Sequence, residues 1–201
     1  MGSNSSSVAD ILFSRRSCRD FNEDPITEDD LNAILWAAQG ITGSGGKRTA
    51  PSADALYPIR LLVATRNVEG FTPGLYYGYD APSGMLSCIQ EGELLSSLEA
   101  AALEEQSWIG KAAAVVIITA DFTSARQVFS EQPPLGMRGE RYVWIEAGGI
   151  AQNMHLQATD MGLGGVLVAG IDDTATTKAL KLAPPWEPVL LFCLGHAGEV
   201  L

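Results

Sequence analysis

The stretch Arg141-Tyr142-Val143-Trp144-Ile145-Glu146-Ala147-Gly148-Gly149-Ile150-Ala151-Gln152-Asn153-Met154-His155-Leu156-Gln157-Ala158-Thr159-Asp160-Met161 is the longest helical segment of the chain. Small or apolar residues, among them Ala147, Gly148, Gly149, Ala151 and Ala158, fall on nearly every face of such a helix. A helix apolar around most of its circumference is buried on several sides. In a chain of 201 residues, that implies a second subunit covering part of it.

Downstream of this helix, residues 166–169 read as a strand, 174–182 as a helix and 189–194 as a last strand. Upstream, Pro133-Pro134-Leu135-Gly136 breaks the pattern. Asp121 is placed to cap a short helix over 122–129, after the most apolar strand candidate at 114–120. A helix is expected over 91–106. Strands at 75–79 and 85–89 flank the turn Asp80-Ala81-Pro82-Ser83-Gly84, which predicts a hairpin.

Residues 59–65 form a further strand, preceded by a loop at 40–46 that holds four glycines. Thr27 and Asp30 resemble a capping box for a helix with Leu31, Ile34, Leu35 and Ala38 at helical spacing. Ser7 can cap a first helix through Ser14, with Ile11 and Leu12 on its inner face. Helices and strands alternate irregularly around a hairpin, which argues for an α+β fold over a regular parallel βαβ array. A single domain over 8–201 is expected after a disordered tail at 1–7.

Composition narrows the function. Apolar residues make up 46% of the chain and charged residues 18%, enough for a sizeable core. The 13 Lys+Arg against 24 Asp+Glu leave a net charge of −11, which repels nucleic-acid backbones and anionic lipid heads. No stretch reaches the ~20 apolar residues of a membrane span. Cys18, Cys88 and Cys193 make neither a disulfide framework nor a metal pair. The first seven residues carry no signal-peptide pattern, so a cytoplasmic protein is expected.

The common side-chain catalysts are missing. There is no Gly-x-Ser-x-Gly elbow and no phosphate loop ending in Gly-Lys-Ser/Thr. Of the two histidines, His155 reads as a hydrogen-bonded packing residue, and His196 as a loop residue that could border a site. Nothing suggests a metal site. The pattern points to a cofactor that brings its own reactivity.

Two segments carry positive signals. Arg15-Arg16-Ser17-Cys18-Arg19-Asp20-Phe21 places three cations and a hydroxyl within five residues of an acidic protein. That combination suits a phosphate, and equally suits a solvated helix end. Arg48-Thr49-Ala50-Pro51-Ser52-Ala53-Asp54-Ala55-Leu56-Tyr57-Pro58 brackets small residues with prolines ahead of a strand. It can lie against a flat ring, or be an ordinary loop.

Together these segments resemble the nitroreductase superfamily of FMN-dependent oxidoreductases. Pro-Ser-Ala-x-Ala-Leu-Tyr-Pro is similar to the signature of its thiazole/oxazole-oxidase (SagB-type) branch. Glu146-Ala147-Gly148-Gly149-Ile150-Ala151-Gln152-Asn153, on through Met161-Gly162-Leu163-Gly164, resembles that branch's central helix. The resemblance spans residues 8–196 and implies a central mixed or antiparallel sheet flanked by helices.

It further implies that Arg15, Arg16, Ser17 and Arg19 hold the FMN phosphate, ribityl and pyrimidine edge. Pro51, Ser52, Ala53 and Asp54 line the ring from the partner of a homodimer. Gln106 offers an amide to the pyrimidine side. Val168, Ala169 and Gly170 bring backbone N–H groups near flavin N5, with Gly164 and Gly165 supporting the approach. NAD(P)H is the implied donor and a nitroaromatic, quinone or similar small molecule the acceptor.

Three departures stand out. Asp54 replaces the usual glycine. Arg141-Tyr142 stands where azoline oxidases carry Lys-Tyr, and arginine is a poor general base. Few residues follow His196, so Arg48 or Arg19 is expected to supply phosphate contacts that classical members place in a tail. Azoline dehydrogenation and a non-catalytic FMN-binding role are the alternative readings.

Overall fold

The structure, a computed structural model, describes residues 7–74, 76–80, 83–90 and 94–198. Helices are α1 (Val8–Ser14), α2 (Glu28–Gln39), α3 (Leu95–Ala100), α4 (Trp108–Lys111), α5 (Phe122–Val128), α6 (Arg138–Asp160) and α7 (Asp173–Leu180). Strands are β1 (Ile59–Thr65), β2 (Tyr76–Asp80), β3 (Met85–Gln90), β4 (Ala114–Asp121), β5 (Gly164–Val168) and β6 (Trp186–Gly195). The fold is α+β. The six strands form one sheet in the order β3-β2-β1-β4-β6-β5, and every pair of neighbours is antiparallel. The expectation of a mixed or antiparallel sheet thus resolves to antiparallel.

The central strands are apolar on both faces because both faces are covered. Leu61, Val63, Val116, Ile118 and Phe192 belong to the cluster shared with α2, α5 and α6. Their neighbours Leu62, Ala64, Val115, Ile117 and Cys193 belong to the cluster with α3 and α4. The alternation of a strand assigns each residue to its face.

The sequence-predicted caps form. Ser7 and Asp10 make a capping box on α1, and Thr27 and Asp30 make one on α2. Asp121 accepts the Ser124 N–H at the start of α5. The β2–β3 hairpin forms as expected, although Leu75, Ala81 and Pro82 lie outside the described residues, as do residues 1–6.

Two expectations need correction. The helix predicted over 91–106 begins outside the described residues and is broken into α3 and α4. After Ala100 the chain leaves the helix to pair with a distant segment: Ala102 bridges Ile171, and the Asp172 N–H donates to the Ala101 carbonyl at 2.8 Å. In α1, Leu12 is exposed and Ile11 only half-buried, because this seven-residue helix lies on the outside of α6.

Helix α6 is covered on only part of its circumference by its own chain. Its inward face carries Val143, Glu146, Ala147, Ile150, Met154 and Ala158. Arg141, Trp144, Ile145, Gly148 and Gln152 form an opposite face that this chain leaves exposed. A Cβ added at Gly148 or Gly149 would meet nothing within 4 Å.

Candidate functional site

Arg15 ends α1, and the chain then runs beside β5. Ser17 forms a parallel bridge with Gly165, and the Cys18 N–H donates to the Gly165 carbonyl at 3.0 Å. The approach depends on missing side chains. A Cβ on Gly164 would sit 2.7 Å from Cys18 Sγ, and one on Gly165 2.6 Å from Phe192 Cζ. Gly164 therefore seats the arginine segment on the sheet, while Gly165 leaves room for Phe192.

His155 braces this junction from α6. Its Nε2 lies 2.8 Å from the Gly165 carbonyl, and the ring meets Phe192 edge-on. A carbonyl only accepts, so Nε2 carries the proton. Burial first, and then the charge of Arg15, lower the pKa of His155, against hydrogen bonds to the backbone of Gly165 and Arg16 that raise it. The packing role expected of this histidine is met. His196 directly follows β6, and its carbonyl accepts the Asn22 N–H, close to the arginine segment.

The three arginines differ. Arg16 turns its Nη1 onto the Phe13 and Arg15 carbonyls at 2.9 and 2.8 Å. Arg19 lies over the Trp108 ring, 5.5 Å from its centroid. Among the described residues no carboxylate forms an ion pair with Arg15 or Arg19. In a protein of net charge −11, two such cations beside the exposed Ser17 suit an anion.

At the far end of β5, Val168 is buried, Ala169 exposed and Gly170 half-buried. The Gly170 carbonyl accepts from the Leu103 N–H at 2.9 Å and from Gln106 Nε2 at 3.0 Å. Gln106 spends one amide hydrogen on this turn, which leaves its amide oxygen and its second N–H for a ligand. Arg15, Ser17, Arg19, Gln106, Gly164, Gly165 and residues 168–170 thus cluster along β5 and the segments packed beside it.

Arg48 and residues 51–54 belong to a second cluster. Three non-glycine residues here have left-handed backbone: Asp54 (φ 50°), Ala55 (φ 53°) and Tyr57 (φ 49°). Each such residue costs ~1–2 kcal/mol. Asp54 thus occupies the conformation that the commoner glycine adopts freely. Its side chain is exposed, as is Pro51, while Ser52 and Ala53 are half-buried.

The contacts that hold this turn are specific. The Tyr57 N–H donates to Ser52 Oγ at 2.9 Å, the Ala55 N–H to the Ser52 carbonyl and the Leu56 N–H to the Ala53 carbonyl, both at 3.1 Å. The Arg48 guanidinium stacks 4.4 Å from the Tyr57 ring centroid. Beneath lies Glu146, 4% exposed, the one buried carboxylate among the described residues. Burial pushes its pKa up to about 7, against the lowering effects of the Ser52 hydroxyl and Arg48. Its Oε1 has no hydrogen-bond partner.

The two clusters attach to different parts of α6, one at Glu146 and the other at His155. Nine residues separate them, about 13 Å along the axis. Among the described residues, no hydrogen bond, ion pair or ring contact joins Arg48 or residues 51–54 to the arginine segment. Glu146 and Trp108 were not singled out from the sequence. An acid inside an apolar helix is a signal that could have found the first, whereas the stacking of Arg19 on Trp108 has no local signature. Arg141 is exposed, and the Tyr142 hydroxyl donates to Gln132 Oε1 at 2.9 Å. No metal-type cluster and no helix long and apolar enough to cross a membrane occur among the described residues.

This six-stranded antiparallel sheet, with glycine-seated arginines at one edge and a long helix beneath, is an α+β architecture shared with solved nitroreductase-type structures. Residues 12–196 match the model of the nitroreductase family, and the chain belongs to that family of oxidoreductases. It is 37% identical over 192 residues to the nitroreductase-type protein MJ1384 of Methanocaldococcus jannaschii, covering 96% of this chain and 92% of that one. A nitroreductase-type crystal structure from Ralstonia eutropha superposes with a TM-score of 0.81 at 26% identity, covering 100% of this chain and 87% of the other. A chain of the Escherichia coli microcin synthetase McbBCD complex shares the fold, with a TM-score of 0.77 at 23% identity, over 99% of this chain and 76% of that one.

Proposed function

We propose that the protein is an FMN-dependent oxidoreductase that takes hydride from NAD(P)H and reduces a nitroaromatic, quinone or similar conjugated acceptor. The observation that carries this reading is the pair Arg15 and Arg19, free of carboxylate partners among the described residues, beside Ser17. In this reading Arg15, Ser17 and Arg19 bind the phosphate and ribityl chain, with Arg16 turned toward its own backbone. Gln106 orients the pyrimidine edge, and residues 168–170 present backbone to the ring. FMN, when bound, supplies reversible hydride transfer at N5. The chain supplies grip, orientation and a fixed backbone there.

The same reading makes the protein a homodimer with a flavin at each interface. Exposed Phe13, Trp36, Trp144 and Ile145 form apolar surface for a partner. Across that interface, Arg48 and Pro51, Ser52, Ala53 and Asp54 reach the partner's flavin. The separation of the two clusters on one chain supports this arrangement. Azoline dehydrogenation ranks second: the likeness to the microcin synthetase chain is one of fold, and Arg141 keeps its proton where a general base is needed.

The test is the visible absorbance of the purified protein before and after anaerobic NADH or NADPH. Flavin bands that bleach are expected. Bands that persist would turn the reading into one of flavin storage. No bands after incubation with excess FMN would overturn it.

A further inference from the structure

The turn over residues 52–57 lies apart from the arginine segment and is held by a chain of groups with an uncommon end. Ser52 Oγ already accepts the Tyr57 N–H at 2.9 Å. Its single hydrogen therefore remains to be donated, and the Glu146 carboxyl lines the same small crevice as Ser52. Ser52, Ala53 and Leu56 line one small crevice with Glu146, Tyr142 and Val143 of α6 and with Ala125 and Phe129 of the α5 region. Arg48 stacks on Tyr57 and acts on Glu146 through its charge. Both ends of the left-handed turn thus lead to one buried acid.

We propose that Glu146 is a positioning residue: through Ser52 it holds the left-handed turn 54–57 in the shape that presents residues 51–54 to the flavin. The proposal rests on the flavin reading above for its ligand, but the hold itself is a property of this chain. Glu146 does not contact the acceptor, since it is buried beneath the turn.

The direction of its pH response follows from burial. A seated turn keeps water from the carboxyl, and an orphaned oxygen costs far more on a carboxylate than on a neutral acid. Seating therefore favours the protonated form, and raising the pH through 7 loosens the turn. The Ser52 hydroxyl and Arg48 oppose this sign by favouring the carboxylate, and burial outweighs both. Tyr142 is the remaining titratable group lining the crevice, and Ala125 and Phe129 bring no charge. The FMN phosphate responds oppositely, because its dianion binds cations better as pH rises.

Two measurements on the full chain test this. In the flavin-free protein at pH 7, amide hydrogen exchange over residues 52–57 should accelerate at least tenfold in Glu146→Leu. It should stay within about threefold of the parent in Glu146→Gln, whose amide oxygen can accept from Ser52 in the same place. Titration with FMN should give at least tenfold weaker binding in Glu146→Leu. Between pH 6.5 and 8.5, FMN affinity of the parent should fall at least threefold relative to Glu146→Gln.

Parent-like exchange in a folded Glu146→Leu, or the same pH profile in the parent and Glu146→Gln, would overturn the proposal. If Glu146→Leu does not fold, Ser52→Ala takes its place: it breaks the link between Glu146 and Tyr57 and should show the same acceleration, and parent-like exchange there would overturn the proposal too. If the parent binds no FMN, the proposed function fails while the exchange measurement still decides the role of Glu146.

Discussion

Gln106 Nε2 donates to the Gly170 carbonyl at 3.0 Å, joining residues 64 apart in the chain. The Leu103 N–H reaches the same oxygen at 2.9 Å, so the turn after β5 is pinned from one side by the segment between α3 and α4. A single hydrogen bond of this kind contributes about 0.5–1.5 kcal/mol. Replacing Gln106 with Leu should lower the thermal midpoint by roughly 2–4 °C, because Leu103 still holds the carbonyl. FMN affinity should fall more sharply, since the freed turn no longer presents a fixed backbone. Thermal unfolding and flavin titration of one preparation compare the two losses.

Gly165 and Gly170 separate folding from function. A Cβ at Gly165 would lie 2.6 Å from Phe192 Cζ in the buried core, whereas one at Gly170 meets Gln106 Nε2 at 3.4 Å. Gly165→Ala should therefore destabilise by about 1–3 kcal/mol, the usual cost of overpacking. Gly170→Ala should stay within about 0.5 kcal/mol of the parent yet slow flavin reduction by NAD(P)H. Denaturant unfolding beside anaerobic stopped-flow reduction checks both. Equal stability of the two variants would contradict the packing argument.

Local chemistry made much of this molecule legible. The strand at 59–65, the cap at Ser7 and the capping box at Thr27 follow from short-range patterns, and the structure has them where those patterns put them. What stayed hidden depends on distant contacts. The break after Ala100 exists because residues 101–103 pair with residues 170–172, and nothing within the segment announces that partner. For α6, the small and apolar residues around its circumference announced that its own chain would not cover all of it, but not which residues would be left exposed. Arg16 shows the same limit: its motif is readable, but the turn of its guanidinium onto the Phe13 carbonyl is not.

Arg15 and Arg19 carry the anion-binding reading. Replacing both with Ala removes two cations from an already acidic surface and should weaken FMN binding at least tenfold. The fold should persist, because neither forms an ion pair with a carboxylate among the described residues. Parent affinity should also fall with rising salt more steeply than that of the double variant, since screening acts on charges the variant lacks. Unchanged flavin retention in the variant would remove the arginine segment from the site.

Glu146 and His155 give stability opposing dependences on pH. The pKa of His155 is lowered in the folded protein, so the unfolded chain binds more protons there below the ordinary value of 6.5, and stability falls as pH drops through it. The pKa of Glu146 is raised from 4.5 to about 7, so the folded protein holds the extra proton and stability falls as pH rises between those values. At about 1.4 kcal/mol per pH unit, the Glu146 effect is on the order of 3 kcal/mol. Glu146→Gln should therefore gain on the parent from pH 4.5 to 7 and hold a constant difference above. Urea unfolding at pH 5 and pH 8 tests this; an unchanged difference would mean the carboxyl is solvated in the native state.

Ile145 is 70% exposed, beside Trp144 and one turn from Gly148 on the open face of α6. An apolar stripe of this kind, with glycines that let another backbone approach, is what an interface between two copies needs. Ile145→Glu puts a charge on that stripe without touching the inward face, so the subunit should fold with near-parent helix content yet sediment as a monomer. If residues 51–54 serve the partner's flavin, the monomer should also lose FMN, although Arg15, Ser17 and Arg19 are intact. A monomer that keeps flavin would show instead that each chain completes its own site, and the roughly 13 Å along α6 between the clusters would need another explanation.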